Sequence, residues 1–344
     1  MKKFEVKIVQ IREDSSFNIG MKTGQHILDS SLVPMWNKIF EHDIDYKNMR
    51  SIFSSYTPHL LEELEGLAQG LGISSIRAAS MFSGYDVPKI DAMGCTAILT
   101  DQYYVRNYDF SPDFYDGIFS LVQSKTALAT AGYNLQILGR HDGANQEGLV
   151  MGLHFVSYNG YTKGISPWTS IRMALDTCST VDDAFALLKE LPHSACYNFS
   201  LGDKKGNIAV IEATPEKICI RNDDSLLSCV NHFQTQELQE KNRLSIDGSI
   251  KRNNYLQSFY GDKLTQDEMF KIFANKRSPV FFTDYENLFG TLHTFSYSFN
   301  KSRIITSIAQ GKEALDFNFN NWVNGKDIAS NKMTGLIEKS NSFK

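Results

Sequence analysis

The spacing of the apolar residues changes at Cys95, from a helical period to the alternation and short apolar runs of strands. Before Cys95 most segments predict helices, and residues 4–12 alternate like one strand. After Cys95 the predicted order is strands, two helices, strands, two helices and strands. This order predicts an α+β fold in which two packed sheets are covered by helices on both outer faces, an αββα four-layer sandwich.

Two local features refine this expectation. Residues 18–40 have helical spacing, and Pro34 is predicted to kink or divide that helix. The polar segment after Val323 is predicted to be loosely held.

Composition excludes several classes of function. The chain has 344 residues, 42% of them hydrophobic, and its 35 Lys and Arg nearly balance 39 Asp and Glu. Without a block of basic residues, we expect no nucleic-acid or anionic-membrane partner. No apolar run reaches the length of about 18 residues that reads as a membrane span, so we expect a soluble, cytoplasmic protein. The five cysteines include no CxxC pair, and neither HExxH nor a Gly-rich phosphate loop occurs, so we expect no metal and no cofactor.

One hairpin has the residues of a reactive site. The segment GCTAILTDQYYVRNYDF, residues 94–110, predicts two strands joined near Asp101–Gln102, with Cys95 opposite about residue 108. Arg106 and Asp109 then flank the thiol. A guanidinium near sulfur favours the thiolate, whereas a carboxylate opposes it unless that carboxylate holds an amine.

Cleavage of the Gly94–Cys95 bond would create such an amine. An α-amino group has a pKa of about 7.7–8.0, so it can serve as the base for its own thiol. Asp109 would hold the amine, and Arg106 would stabilise the thiolate. Gly94, which lacks a Cβ, permits the exposed backbone that the thiol would have to attack.

Several segments in order along the chain are similar to one known family. The chain resembles the acyl-coenzyme A:6-aminopenicillanic acid acyltransferase family of autoproteolytic cysteine N-terminal-nucleophile (Ntn) hydrolases, relatives of choloylglycine hydrolase and penicillin V acylase. The similar segments are NIGMKTGQHI, PHLLEELEGLAQGLGIS, GCTAIL, VRNYDF, ANQEGLVMGLHF, STVDDAFALLKELP, GDKKGNIAVIEATP, CVNHF and SIKRNNYL.

The resemblance implies roles for particular residues. Cys95 would be the nucleophile, with Arg106 and Asp109 as its supporting pair. Asn231 would donate a hydrogen bond to the oxyanion, and Arg252 would help to position the amine. A second oxyanion donor would be a backbone N–H near His154 or Phe155, the segment in which bile salt hydrolases carry Asn where this chain has His154.

The resemblance also implies a precursor. Residues 1–94 would form a mostly helical pro-segment cleaved between Gly94 and Cys95, and residues 95–344 the Ntn-hydrolase domain. The substrate would be a small-molecule amide, with an acyl donor such as acyl-CoA as a further partner, and a homo-oligomer is compatible with the sequence.

Two alternatives stay open at this stage. One is a Cys–His thiol hydrolase that uses His154 or His232, and the other is an unprocessed homologue that binds a small ligand. The sequence does not separate a hydrolase from a transferase.

Overall fold

The computed structural model describes residues 2–40, 44–89, 94–286 and 289–338. The first 89 residues supply one strand and five helices, and the remainder is built mainly from strands. The strands are β1 (Lys2–Arg12), β2 (Gly94–Thr100), β3 (Tyr103–Phe110), β4 (Ile118–Gln123), β5 (Thr130–Leu135), β6 (Gly139–Asn145), β7 (Val150–Ser157), β8 (Cys196–Gly202), β9 (Ile208–Ala213), β10 (Ile218–Asp223), β11 (Leu226–Cys229), β12 (Thr283–Asp284), β13 (Phe289–Ser298), β14 (Arg303–Ile308), β15 (Leu315–Asn318) and β16 (Lys332–Ile337). The helices are α1 (Ser16–Ile27), α2 (Leu32–Ile39), α3 (Tyr46–Tyr56), α4 (Pro58–Leu71), α5 (Ser75–Phe82), α6 (Pro167–Thr177), α7 (Val181–Glu190), α8 (Asp247–Gln257), α9 (Gln266–Phe273) and α10 (Phe319–Val323).

The strands form two sheets. A nine-stranded sheet has the order β10-β9-β8-β7-β6-β5-β4-β1-β16. A seven-stranded sheet has the order β11-β2-β3-β13-β14-β15, with β12 paired to β13. Neighbouring strands are antiparallel except for β1 and β4, which run parallel.

The two sheets pack face to face, and helices cover their outer faces. On β2 and β3, Cys95, Ala97 and Tyr104 belong to the large core shared with the nine-stranded sheet. Residues of the opposite parity, Ile98 and Val105, pack instead in a second core with α8 and α9. Because α6 packs on β5, β6 and β7 and α7 on β9, the order of layers is helix, sheet, sheet, helix, which confirms the αββα prediction.

The β2–β3 hairpin has the predicted register. Cys95 pairs with Tyr108, and the two strands are joined at Asp101 and Gln102. Ala97 pairs with Arg106, so the side chains of Cys95 and Arg106 lie on the same face of the sheet. This register places the guanidinium diagonally across from the thiol.

Two local predictions differ from the structure. The helical stretch at 18–40 is divided at residues 28–31, and Pro34 lies in the first turn of α2, where the backbone N–H groups have no intrahelical partner. The segment after Val323 is not loosely held throughout, because β16 pairs antiparallel with β1 at one edge of the nine-stranded sheet. No helix among the described residues is long and apolar enough to span a membrane.

Candidate active site

Cys95 lies near the start of β2, and its side chain is fully buried between the sheets. Arg106 Nη2 donates hydrogen bonds to Cys95 Sγ at 3.0 Å and to the carbonyl of Leu153 at 2.6 Å. Arg106 Nη1 donates to Asp142 Oδ2. Gly152 leaves room for the Arg106 side chain and for the hydroxyl of Tyr104, because a Cβ there would lie 2.7 Å from Arg106 Cδ and 2.1 Å from that hydroxyl.

The charge state of the thiol follows from this environment. Burial raises the pKa of Cys95 to about 11, and the positive charge of Arg106 opposes that rise. The uncut chain therefore holds a protonated thiol beside a cation that favours its ionised form.

The backbone of Cys95 is held by two further side chains. Its N–H donates to Asn231 Oδ1 at 2.9 Å, and its carbonyl accepts from Arg252 Nη1 at 2.7 Å. Arg252 Nη2 also donates to Asn231 Oδ1, at 3.0 Å. Because two donors face the same atom of Asn231, that atom is the amide oxygen. The amide nitrogen donates one hydrogen to the carbonyl of Phe155 at 2.8 Å, which leaves its second hydrogen for another acceptor.

Asp109 lies opposite Gly94 rather than opposite the cysteine. Its Oδ1 accepts a hydrogen bond of 2.6 Å from Thr291 Oγ1. Its Oδ2 is buried, with no hydrogen-bond partner among the residues that the structure describes. Burial raises the pKa of Asp109 to about 6, although Arg252 and the Thr291 hydrogen bond act in the other direction.

Gly94 is confined by an aromatic ring. A Cβ at this position would lie 2.4 Å from Cε2 of Phe289, so no other residue fits without displacing that ring. The Gly94–Cys95 bond lies within the described residues, whereas residues 90–93 lie outside them.

The two candidate histidines make other contacts. Nε2 of His154 lies 2.9 Å from Ser200 Oγ, and Nδ1 of His232 lies 2.8 Å from Ser249 Oγ. Burial holds the pKa of His154 well below its usual value. Neither ring hydrogen bonds to Cys95 Sγ, although the backbone of Cys95 acts on the pKa of His154 in the direction opposite to burial.

The structure adds two residues that the sequence interpretation missed, Asp142 and His293. Asp142 Oδ2 accepts from Arg106 and lies 2.8 Å from His293 Nε2, and all three side chains are fully buried. Both missed residues are polar groups inside strands, in GRHDGAN of β6 and TLHTFSYS within β13. A polar residue within a buried strand is the only signal that the sequence offers for them.

Metal binding has no support in the described residues. Across 2–40, 44–89, 94–286 and 289–338, no group of three or more His, Cys, Asp and Glu side chains could hold a metal ion. The groups around Cys95 suit thiol chemistry instead, with an arginine at the sulfur, an asparagine at the nitrogen and a carboxylate beside the preceding glycine.

The observed order of layers agrees with the fold that the resemblance implied. The sequence profile of the acyl-coenzyme A:6-aminopenicillanic acid acyl-transferase family matches residues 98–313, more than half of the chain. The chain belongs to this family. Membership of this family supports an enzyme of the acyltransferase type. No curated protein sequence matches the chain significantly.

Several solved structures are similar at a low level. A variant of conjugated bile acid hydrolase from Clostridium perfringens has 14% identity and a TM-score of 0.46, over 72% of this chain and 99% of that one. Penicillin V acylase from Agrobacterium tumefaciens has 15% identity and a TM-score of 0.45, over 66% and 86% of the two chains. The Caenorhabditis elegans ortholog of N-acylethanolamine-hydrolyzing acid amidase has 11% identity and a TM-score of 0.41, over 60% and 93%.

Proposed function

We propose that this chain is a precursor that cleaves its own Gly94–Cys95 bond and then acts as a cysteine Ntn amidohydrolase or acyltransferase on linear amides. The observation that carries this proposal is that three different side chains hold the three polar groups of Cys95. Arg106 contacts the thiol, Asn231 the N–H and Arg252 the carbonyl. A cysteine that only fills core space has no need of such contacts.

In the cleavage step Cys95 Sγ attacks the carbonyl carbon of Gly94. The S–C bond forms, the C–N bond breaks, and the nitrogen of Cys95 takes up the proton of the thiol to become an α-amine. Water then hydrolyses the thioester, which frees the thiol and leaves a carboxylate on Gly94. Neither step needs a metal or an organic cofactor.

The new α-amine would arise between groups of opposite charge. The backbone nitrogen already contacts Asn231, and the unpartnered Oδ2 of Asp109 lies across the hairpin from Gly94. Asp109 favours the charged amine, whereas the guanidinium of Arg252 favours the neutral one. An amine with a reference pKa of about 7.7–8.0 then serves as the general base for the thiol near neutral pH.

Turnover uses the same groups on an external amide. The thiolate attacks the substrate carbonyl, the amine portion leaves, and water or a second amine resolves the acyl-thioester. The second hydrogen of the Asn231 amide nitrogen is available to the oxyanion, and one such donor contributes about 2.7–4 kcal/mol to the transition state. An acyl-CoA thioester is the acyl donor that the family description suggests for the transferase reaction.

Intact-mass spectrometry of the freshly purified protein tests the cleavage, with Cys95→Ala as the matched control. We expect two fragments from the wild type, one ending at Gly94 and one beginning at Cys95, and a single uncut chain from the variant. Uncut wild-type protein after prolonged incubation at several pH values would contradict the proposal and leave the ligand-binding and Cys–His alternatives.

A further inference from the structure

A chain of hydrogen bonds extends behind Arg106, away from the thiol. Asp142 Oδ2 accepts from Arg106 Nη1 and lies 2.8 Å from His293 Nε2. Nδ1 of His293 lies 2.7 Å from the hydroxyl of Tyr115. The His293 ring also stacks on Tyr133, with ring centroids 3.7 Å apart. All these residues are buried, so no water competes for the bonds.

The protonation states determine which atom donates and which accepts in each of these hydrogen bonds. Burial lowers the pKa of His293, which keeps the ring neutral. Although burial raises the pKa of Asp142, His293 and Arg106 bring it below its usual value, so the carboxylate is ionised. A neutral ring next to a carboxylate carries its proton on Nε2, and its Nδ1 then accepts from Tyr115. The donors of Arg106 and His293 therefore both face one oxygen of Asp142.

We propose that Asp142 and His293 are positioning residues for the reaction at Cys95: Asp142 holds the guanidinium of Arg106 against the thiol, and His293 holds Asp142. This inference rests on the proposed function, because it assigns how the supporting arginine of that reaction is aligned. Neither residue touches the reacting atoms, and both act through Arg106.

The geometry favours alignment over a direct effect of charge. The negative charge of Asp142 by itself raises the pKa of the Cys95 thiol, which disfavours attack. Its benefit must therefore come from where it holds Arg106. Nη2 serves both the thiol and the carbonyl of Leu153, so a small rotation of the guanidinium would break the contact with sulfur.

A purely structural role is the competing explanation. Asp142 lies in β6 of the nine-stranded sheet, whereas Arg106 and His293 lie in β3 and β13 of the other sheet. The cluster could then simply connect the two sheets. Buried ion pairs contribute little net stability compared with apolar residues, so stability alone gives weak reason for this cluster.

Two substitutions of Asp142 separate these roles. Asp142→Asn keeps an acceptor oxygen for Arg106 and removes the negative charge, so we expect it to retain more of the self-cleavage rate than a variant without that acceptor. Asp142→Ala removes the acceptor as well. We expect it to cleave about tenfold more slowly than Asp142→Asn, the factor by which a rise of one unit in the thiol pKa lowers the thiolate fraction. The measurement is the rate of fragment formation by intact mass from pH 6 to 9, with thermal unfolding recorded in parallel.

Substitutions of His293 test the second link. His293→Phe keeps the ring that stacks on Tyr133 but loses the donor to Asp142, so we expect cleavage slower than in the wild type. His293→Gln retains an N–H and should recover part of the rate. The matched control is His193→Phe, which removes another buried histidine. Nε2 of His193 lies 2.8 Å from the carbonyl of Leu188, and this contact does not involve Arg106. The control should cleave at the wild-type rate.

The outcomes distinguish the possibilities. Equal cleavage rates in Asp142→Asn and Asp142→Ala across the pH range, whether unchanged or faster, would overturn the positioning role. A wild type that never cleaves would contradict the proposed function instead. In that case the thiolate absorbance of Cys95, which is the part that Cys95→Ala removes, still tests the positioning. It is compared among the variants at one alkaline pH at which all of them stay folded. Lower absorbance in Asp142→Ala than in Asp142→Asn supports the role, and equal or higher absorbance overturns it.

Discussion

Arg106 holds three groups at once, the thiol of Cys95, the carbonyl of Leu153 and the carboxylate of Asp142. A lysine keeps the charge but lacks the planar fork that spans separate acceptors. We therefore expect Arg106→Lys to slow self-cleavage by about tenfold or more, as measured by fragment formation over time. Arg221→Lys, which alters an arginine paired with Glu212 outside the site, is the control. Cleavage of Arg106→Lys at the wild-type rate would show that charge alone suffices.

Asp109 gives a prediction about stability and pH. Its pKa is about 6 in the folded chain against a reference of 3.8, so folding favours its protonated form. The stability that this proton contributes is present below pH 3.8 and is lost as the pH rises through 6. In the uncleavable Cys95→Ala background, Asp109→Asn should therefore raise the free energy of unfolding at pH 8 by up to about 3 kcal/mol, with no gain below pH 4.

Urea unfolding at pH 4, 6 and 8 measures this difference, with the exposed Asp262→Asn as the control. A gain that stays the same at all three pH values would contradict the assigned cause. In the chain that retains Cys95, Asp109→Asn should abolish amide turnover after cleavage, because the carboxylate that holds the amine is lost.

Residues of one hairpin were predictable from the sequence, and residues from distant strands were not. The short connection between β2 and β3 fixes their register, so the pairing of Cys95 with Tyr108 followed from the pattern. Asp142 reaches Arg106 from β6 of the other sheet, and His293 reaches Asp142 from β13. No local pattern reveals which distant strands pair or face one another. Asn231 and Arg252 were identified only through the family resemblance.

At the scale of elements, the N-terminal segment is part of the main fold. β1 lies between β4 and β16 in the nine-stranded sheet, and α1 packs along α4. Backbone hydrogen bonds join β1 to strands on both sides. If the Gly94–Cys95 bond is cut, these contacts remain.

We therefore expect both fragments of the cleaved protein to elute together in size-exclusion chromatography under native conditions, and to separate in guanidinium chloride. The uncut Cys95→Ala chain provides the elution volume for comparison. A small fragment that elutes alone without denaturant would show that β1 leaves the sheet.

A buried ionic cluster also joins the N-terminal helices to the rest of the chain. Arg172 of α6 donates to Glu63 of α4 at 2.6 Å and to Asp176 at 2.8 Å, and Asp176 lies 2.9 Å from His59. Removing one member of a buried ionic cluster leaves the charges of the remaining members uncompensated. We expect Arg172→Met to lower the free energy of unfolding of the Cys95→Ala chain by about 3–5 kcal/mol in urea titrations.

The control for this change is Arg303→Met. Arg303 pairs with Asp267 and Asp316 at a more exposed position, where ion pairs contribute about 1 kcal/mol or less. Similar losses in both variants would argue against a special role for the buried cluster.

At the scale of the whole molecule, the order of predicted helices and strands was enough for the layer architecture. Runs of strands separated by pairs of helices can pack in only a few compact arrangements, and the four-layer sandwich is one of them. The place of β1 between β4 and β16 was not predictable, because it depends on a parallel pairing between segments far apart in the chain. The same holds for β16, a short edge strand within a mostly polar segment.

The central claim is that Cys95 acquires a free α-amine beside its thiol. The most direct test is to unfold the purified protein and treat it with a reagent specific for 1,2-aminothiols, such as 2-cyanobenzothiazole, which condenses only with an N-terminal cysteine. Unfolding removes any effect of burial, and mass spectrometry of peptides locates the adduct. We predict one adduct, at Cys95, in the wild type and none in Cys95→Ala. A wild-type protein with no adduct at Cys95 would contradict the account.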